Sequence, residues 1–415
     1  MWAQLLTNSL RHFIKTGALM VIFPDGQSAR FGAGDARPVA IRLRTQAMVQ
    51  RLVLDPDLAL GEGYMDGDLT IESGDLYGLL SCLLGNMPDR GSWRSPWARR
   101  WLRRGRAPSN PVHRARRNAA HHYDLSGTLY DLFLDPDRQY SCAYFRHPQD
   151  NLATAQANKK ALIAAKLLLE PGHRVLDIGC GWGGLGLELA RQHDARVTGL
   201  TLSNEQYKRA RAQAEALGLA ERVAFRLQDY RHATGTYDRI VSVGMFEHVG
   251  AAHYETFFHT VRDRLADDGV ALIHTIGRAD GPGRTHPWIA KYIFPGGYSP
   301  ALSEILPAIE RAGLCVTDVE VLRLHYAETL RAWRARFEAN LDRIRALYDD
   351  RFCRMWRFYL VGSELAFRLG GHVVFQIQMA KRQTAVPLTR DYLLTTAPPA
   401  VTARPAHRHA DHHAA

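Results

Sequence analysis

Residues 175–184 read Val-Leu-Asp-Ile-Gly-Cys-Gly-Trp-Gly-Gly. An apolar strand runs into a glycine-rich turn, and a helix is expected over 185–192. Glycine lets the backbone turn tightly and lets a ligand approach it closely. A lone glycine motif is weak evidence, but here strand precedes and helix follows. Outward from this stretch, further strands are expected at 174–178, 196–200, 223–227, 239–243, 270–275, 315–322 and 372–379, with helices between them. That alternation predicts an α/β domain with a mostly parallel, doubly wound sheet over about 120–382.

The second strand ends in Thr201-Leu202-Ser203. The acid that would hold a dinucleotide's ribose is missing there. Asp177 is placed in the first loop, to orient it or to meet a cationic ligand group. The pattern looks like the first motif of class I methyltransferases that use S-adenosylmethionine.

The chain has 415 residues, 46% hydrophobic and 23% charged, which suits two or three globular domains. Lys and Arg number 53 against 42 Asp and Glu, a formal charge of +11. Such a balance points to an anionic partner, a membrane surface or nucleic acid. Five scattered cysteines argue against a disulfide framework or a zinc module, so no metal site is expected, and they fit a reducing cytoplasm. No apolar run approaches the roughly 18–20 residues of a spanning helix, and the N-terminus does not read as a secretory signal.

Residues 1–23 place Trp2, Leu5, Leu6, Leu10, Phe13 and Ile14 at helical spacing, read as a helix packed on its own domain. Strands are expected at 40–43, 51–54 and 69–72. Together they predict a small α+β domain over 1–88. From 89 to 119 follows a linker whose stretch 90–117 holds ten Arg and no acid, with Trp93, Trp97 and Trp101 four apart. Such a segment reads as a solvated tether or as a patch for anionic headgroups, where each Lys or Arg contributes about 1 kcal/mol; its interleaved aromatics would also suit single-stranded nucleic acid, a lower-ranked reading. Residues 278–312 and 327–368 are candidates for caps over the site. The methyltransferase domain is expected to span 120–385, and 386–415 a tail without fixed structure. The tail's His407, His409, His412 and His413 are only a compositional feature.

Further motifs narrow the family. They are His122-Tyr123-Asp124, Tyr140-Ser141-Cys142-Ala143-Tyr144-Phe145, Gly199-Leu200-Thr201-Leu202-Ser203 with Gln206, Phe246-Glu247-His248-Val249-Gly250, His274-Thr275-Ile276-Gly277, Tyr292-Ile293-Phe294-Pro295-Gly296-Gly297 and His325-Tyr326-Ala327. In this order, residues 121–380 resemble the cyclopropane-fatty-acyl-phospholipid synthase and mycolic acid cyclopropane synthase family. The resemblance implies a class I methyltransferase Rossmann-like sheet with helical cap insertions, and it favours a homodimer.

It also implies site residues. Tyr140, Ser141, Asp177, Gly179, Gly181 and Gly183 would meet S-adenosylmethionine. Thr201 and Gln206 would hold its ribose end, with Tyr230 beside adenine and Asp229 accepting from the adenine amine. Cys142, Glu247, His274, Ile276 (through its backbone) and Tyr326 would hold a bicarbonate that acts as base. Tyr123, Tyr144, Phe145, Phe246, Tyr292, Phe294 and Tyr298 are candidates to line an acyl-chain pocket, with core packing as the alternative for each. In much of the family a cysteine stands where this chain has Ser363.

The expected reaction moves a methylene group onto a cis double bond of a phospholipid acyl chain, at the inner face of the cytoplasmic membrane. Alternatives are C-methylation without ring closure, N-methylation of a small amine, and a non-catalytic lipid-binding protein. No nucleic-acid partner is expected. Gly244-Met245-Phe246-Glu247 stands where a base-flipping enzyme needs an Asn- or Asp-Pro-Pro-aromatic motif. Removing the charges of Arg99, Arg100, Arg103 and Arg104 is expected to weaken cosedimentation with anionic vesicles; undiminished binding would remove the linker from the docking surface.

Overall fold

The computed structural model describes residues 1–34, 38–87 and 127–394. The basic linker, Tyr123 and the tail histidines lie outside these. The chain opens with α1 (Trp2–Phe13), β1 (Leu19–Ile22), β2 (Ser28–Phe31), β3 (Val39–Leu43), α2 (Gln46–Leu54), α3 (Pro56–Asp66), β4 (Leu69–Ser73) and α4 (Leu76–Gly85). The strands form one sheet in the order β2-β1-β3-β4. Leu6 of α1 is buried, with Trp2, Leu10 and Phe13 packed beside it, so this helix serves its own core.

Two expectations fail here. Residues 51–54 are helix, not strand. Thr45 caps α2 by accepting from Met48 N at 3.1 Å. Met48, Val49, Leu52 and Val53 then fall on one helical face. Residues 19–22, inside the stretch read as helical, form β1 instead.

After the linker come α5 (Gly127–Phe133), α6 (Leu152–Lys166), β5 (Arg174–Ile178), α7 (Gly184–His193), β6 (Arg196–Thr201), α8 (Asn204–Ala216), β7 (Val223–Leu227) and β8 (Tyr237–Val243). Then follow α9 (Tyr254–Arg264), β9 (Leu265–Arg278), α10 (Pro287–Tyr292), α11 (Leu302–Arg311), β10 (Cys315–Val321), α12 (His325–Ala339), α13 (Leu341–Leu347), α14 (Asp350–Arg368) and β11 (His372–Ala380). Seven strands order as β10-β11-β9-β8-β5-β6-β7. The pairs from β9 to β7 are parallel, and β11 and β10 are antiparallel additions. All seven expected strands are present. The strand order reverses beside β5, where such sheets open a ligand crevice at their carboxyl ends.

Residues 386–394, expected to begin the tail, lie against the sheet. Arg390 pairs with Asp318 at 3.0 Å, and Gln378 Nε2 donates to the Tyr392 hydroxyl at 3.2 Å. Among the described residues no helix is long and apolar enough to cross a membrane.

The N-terminal core is continuous with that of the helices above the sheet. Leu76, Leu79 and Leu80 share a buried cluster with Trp288, Trp356, Phe358 and Val361. One close contact joins α3 to α10. Trp288 is fully buried, and a Cβ on Gly61 would lie 2.5 Å from its ring. Its Nε1 donates to Met65 Sδ at 3.2 Å. Beside it Glu62 accepts from Lys291 Nζ at 2.6 Å and from the Tyr292 hydroxyl at 2.7 Å, and pairs with Arg51. Overpacking a close contact costs about 1–3 kcal/mol. Gly61→Ala should therefore lower the urea midpoint, followed by tryptophan fluorescence. An unchanged midpoint would mean that α3 does not bear on α10.

Candidate active site

The crevice at the carboxyl ends of β5 and β6 is lined by residues of four segments. They are Arg138 to Ser141, Asp177 to Trp182, Thr201 to Gln206, and Gln228 to Arg231, closed by Gly244, Met245 and His248. Gly179 turns the chain at φ +84, and a Cβ there would lie 2.6 Å from Met245. Of the expected cofactor residues, Tyr140, Ser141, Asp177, Gly179, Gly181, Thr201, Gln206, Asp229 and Tyr230 all line this crevice. Gly183 does not. It sits at the start of α7 with φ +87, and a Cβ would strike Phe225 at 2.7 Å and Ala210 at 2.9 Å. Its smallness serves packing of that helix start.

The donors and acceptors around the crevice are specific. Thr201 Oγ1 donates to Gln206 Oε1 at 2.8 Å, and Ser203 caps α8. Asp229 departs from expectation. Its two oxygens accept from Arg231 Nε and NH2, both at 2.8 Å, so an adenine amine would have to share them. Burial works to raise this carboxyl, but the Arg231 hydrogen bonds outweigh it and hold it below its usual range. Asp177 is the penultimate residue of β5 rather than part of the loop. Its Oδ2 is buried without a partner, and burial lifts its pKa to about 7. Tyr140 is fixed from behind: its hydroxyl meets that of Tyr359 at 2.9 Å, and its ring stacks on Trp333.

The five residues of the expected anion site lie outside the crevice lining; Cys142 follows Ser141 and Glu247 precedes His248 in the chain, and His274 pairs with Val243 across the sheet. Glu247 sits in a short turn after β8, and its Oε1 accepts from Ile276 N at 2.6 Å. The Ile276 N–H, expected to face an anion, is thus taken by Glu247. Burial lifts Glu247 to about 7 against that hydrogen bond, and its Oε2 has no partner. His274 stands on β9, two residues from Ile276 and hence on the same face. Gln376 Nε2 lies 3.1 Å from its Nδ1. With that amide nitrogen donating, the ring keeps its proton on Nε2, which is buried and unpartnered. Burial, with the charges of Lys159 and Lys166, holds His274 well below its usual pKa and neutral. The Cys142 thiol is buried, donates to Ala143 O at 3.3 Å, and is pushed up by burial. Tyr326 is buried with its ring against Phe367 and Trp333.

Ser363 is half-buried on α14, one turn past Tyr359 on the same face. Among the aromatic candidates, Phe246 is core, stacked on Tyr254, and Tyr298 is tied to Glu304. Phe294, half-buried between His248 and Tyr359, remains a lining candidate, as do Tyr144 and Phe145 beside His325. Sequence reading missed Gln376 and Lys159. Gln376 alternates with apolar residues along a strand and looks like an ordinary polar position.

Comparison with known proteins now bears on the site. The sequence profile of the mycolic acid cyclopropane synthetase family matches residues 111–377. The chain belongs to that family. A profile described only as a domain of unknown function matches residues 2–86. A probable fatty acid methyltransferase of Pseudomonas putida is 44% identical over 63% of this chain and 68% of its own length. The cyclopropane-fatty-acyl-phospholipid synthase of Escherichia coli K12 is 38% identical over 83% of this chain and 88% of its own. The crystal structure of mycolic acid cyclopropane synthase CmaA1 complexed with SAH and CTAB superposes with a TM-score of 0.60 at 35% identity, covering 64% of this chain and 97% of that one. The chain is an S-adenosylmethionine-dependent methyltransferase of this type.

Buried carboxyls with raised pKa make stability fall as pH rises. Glu247 binds its proton more tightly folded than unfolded, so its contribution is complete below about 4.5 and is lost as pH climbs through about 7. At about 1.4 kcal/mol per unit the loss is of order 3 kcal/mol. Glu247→Gln should flatten that part of the melting-temperature profile. A profile as steep as wild type would place the titration elsewhere.

Proposed function

We propose that this chain transfers a methylene group from S-adenosylmethionine to a cis double bond of a phospholipid acyl chain. The supporting observation is the pair Glu247 and His274, each buried and each keeping one polar atom without a partner beside the cofactor crevice. The likeness to a cyclopropane-fatty-acyl-phospholipid synthase over 83% of the chain agrees with this.

The chemistry demands such a place. The alkene π pair attacks the sulfonium methyl, the carbon–sulfur bond breaks toward sulfur, and S-adenosylhomocysteine leaves. A carbocation remains on the acyl chain. Loss of a proton from the new methyl lets that C–H pair close the ring. A site for this must exclude water and tolerate positive charge. Phe294 and Tyr140 offer ring faces, which stabilise a nearby cation by about 0.5–2 kcal/mol.

A small anion fits the orphaned groups. His274 Nε2–H can donate to it, and Glu247, near half-protonated at neutral pH, can donate or accept. Bound bicarbonate would supply a base that the cation cannot alkylate irreversibly. Cys142 and Tyr326 would complete its surroundings, and Ile276 would act by holding Glu247 in place. Glu247 can then pass a proton onward. The N-terminal domain and the basic linker would hold the protein on the inner leaflet and offer it an acyl chain.

C-methylation without ring closure is the second reading. Ser363 in place of the usual cysteine and the resemblance to a fatty acid methyltransferase support it. A ring and a methylene branch have equal mass. Fatty acid methyl esters from cells expressing the chain, fed labelled methionine, should be resolved by gas chromatography and proton NMR. Cyclopropane signals are expected; a labelled open-chain product would move the assignment to C-methylation, and unlabelled lipid would remove both.

A further inference from the structure

Helix α6 carries a lysine that the reaction as described does not use. Lys159 has no exposed surface. Its Nζ donates to Gln139 Oε1 at 2.6 Å and to Ser141 Oγ at 3.0 Å. Its neighbour Lys160 pairs with Asp137 at 2.6 Å, as a lysine near the surface does. Lys159 sits within salt-bridge distance of no described carboxylate; Asp135 and Asp137 act on it only at longer range. A buried ammonium with neutral partners costs several kcal/mol unless its surroundings use the charge.

What it grips is the strap 139–142. Gln139 and Ser141 flank Tyr140, and all three line the cofactor crevice. One turn earlier on α6, Gln156 Nε2 donates to the carbonyls of Gln139 at 3.3 Å and Ser141 at 3.0 Å. Cys142 follows in the chain. The lysine's charge acts on Cys142, Asp177 and His274, groups of both the crevice and the buried anion site.

We propose that Lys159 is a positioning residue whose ammonium pins Gln139 and Ser141, so that one strap serves the cofactor crevice and the buried anion site together. This rests on the crevice taking S-adenosylmethionine. The titratable groups whose charge interacts with the ammonium are Asp135, Asp137, Lys160, Cys142, Asp177 and His274. Burial, with the charge of Lys160, brings Lys159 down to about 8. The ammonium is therefore the main form at neutral pH, and its grip weakens as pH rises through that value.

The test uses the full-length protein and S-adenosylhomocysteine as the probe, with affinity measured by calorimetry across this pH range. Lys159→Met keeps the apolar stem and removes the charge. It should bind about tenfold more weakly, the scale of charge-assisted hydrogen bonds. It should also lose the decline in affinity that wild type shows above pH of about 8. A purely structural lysine would lower the melting temperature without that change of pH profile. Should Lys159→Met not fold, Gln139→Met keeps the lysine and removes one acceptor, and weaker binding is again expected. Wild-type affinity and pH profile in either folded variant would overturn the proposal. Wild-type protein that does not bind the probe would overturn the crevice assignment, and the lysine's role with it.

Discussion

The Ile276 amide donates to Glu247 Oε1 at 2.6 Å, and the arrangement of the buried site depends on that bond. It ties the turn after β8 to the neighbouring strand β9. It holds Glu247 in a place water does not reach, with its second oxygen unpartnered. The same strand presents His274 two residues earlier, and β11 supplies Gln376 to settle its ring. Burial lifts the carboxyl held there to about 7 and keeps the imidazole on the same strand neutral.

Three buried charges around the site stand apart from any opposite charge at bonding distance among the described residues. Asp177 and Glu247 are buried carboxyls without cationic partners at bonding distance, and Lys159 is a buried cation without an anionic one. Each is costly alone. Isolation of this kind leaves unused hydrogen-bonding capacity where a sulfonium cofactor and a small anion would supply the missing partners. Asp229 and Arg231, by contrast, form a satisfied ion pair in the crevice lining, while Glu364 is paired with Arg334 and Arg368 outside that lining.

The helices above the sheet do two jobs. Helix α14 sends Tyr359 to Tyr140 and, from Trp356 and Val361, continues the N-terminal core. Helix α10 buries Trp288 against α3 and leads directly into Phe294 beside His248. Phe294 and the contact with the N-terminal domain are therefore linked through six residues of chain.

The sheet was legible in the sequence because its strands are short apolar runs bounded by turns, and the glycine loop sits where strand meets helix. The N-terminal helix α2 is misread as a strand because Arg51–Leu54 ends in a short apolar run when seen without Thr45 and Met48, which start the helix. The crevice residues could be named from their motifs. Their partners could not: Lys159 stands in a polar run, Asn158-Lys159-Lys160, that reads as a solvated face. Local pattern by itself determined the fold class and the glycine loop, because these depend on periodicity and on backbone freedom at glycine, whereas the candidate site residues were named from the family resemblance. Only the tertiary structure decided which polar atoms are left without partners, that Asp229 is already held and that Gly183 serves packing. Burial and pairing are set by residues distant in the chain, and no local pattern encodes them.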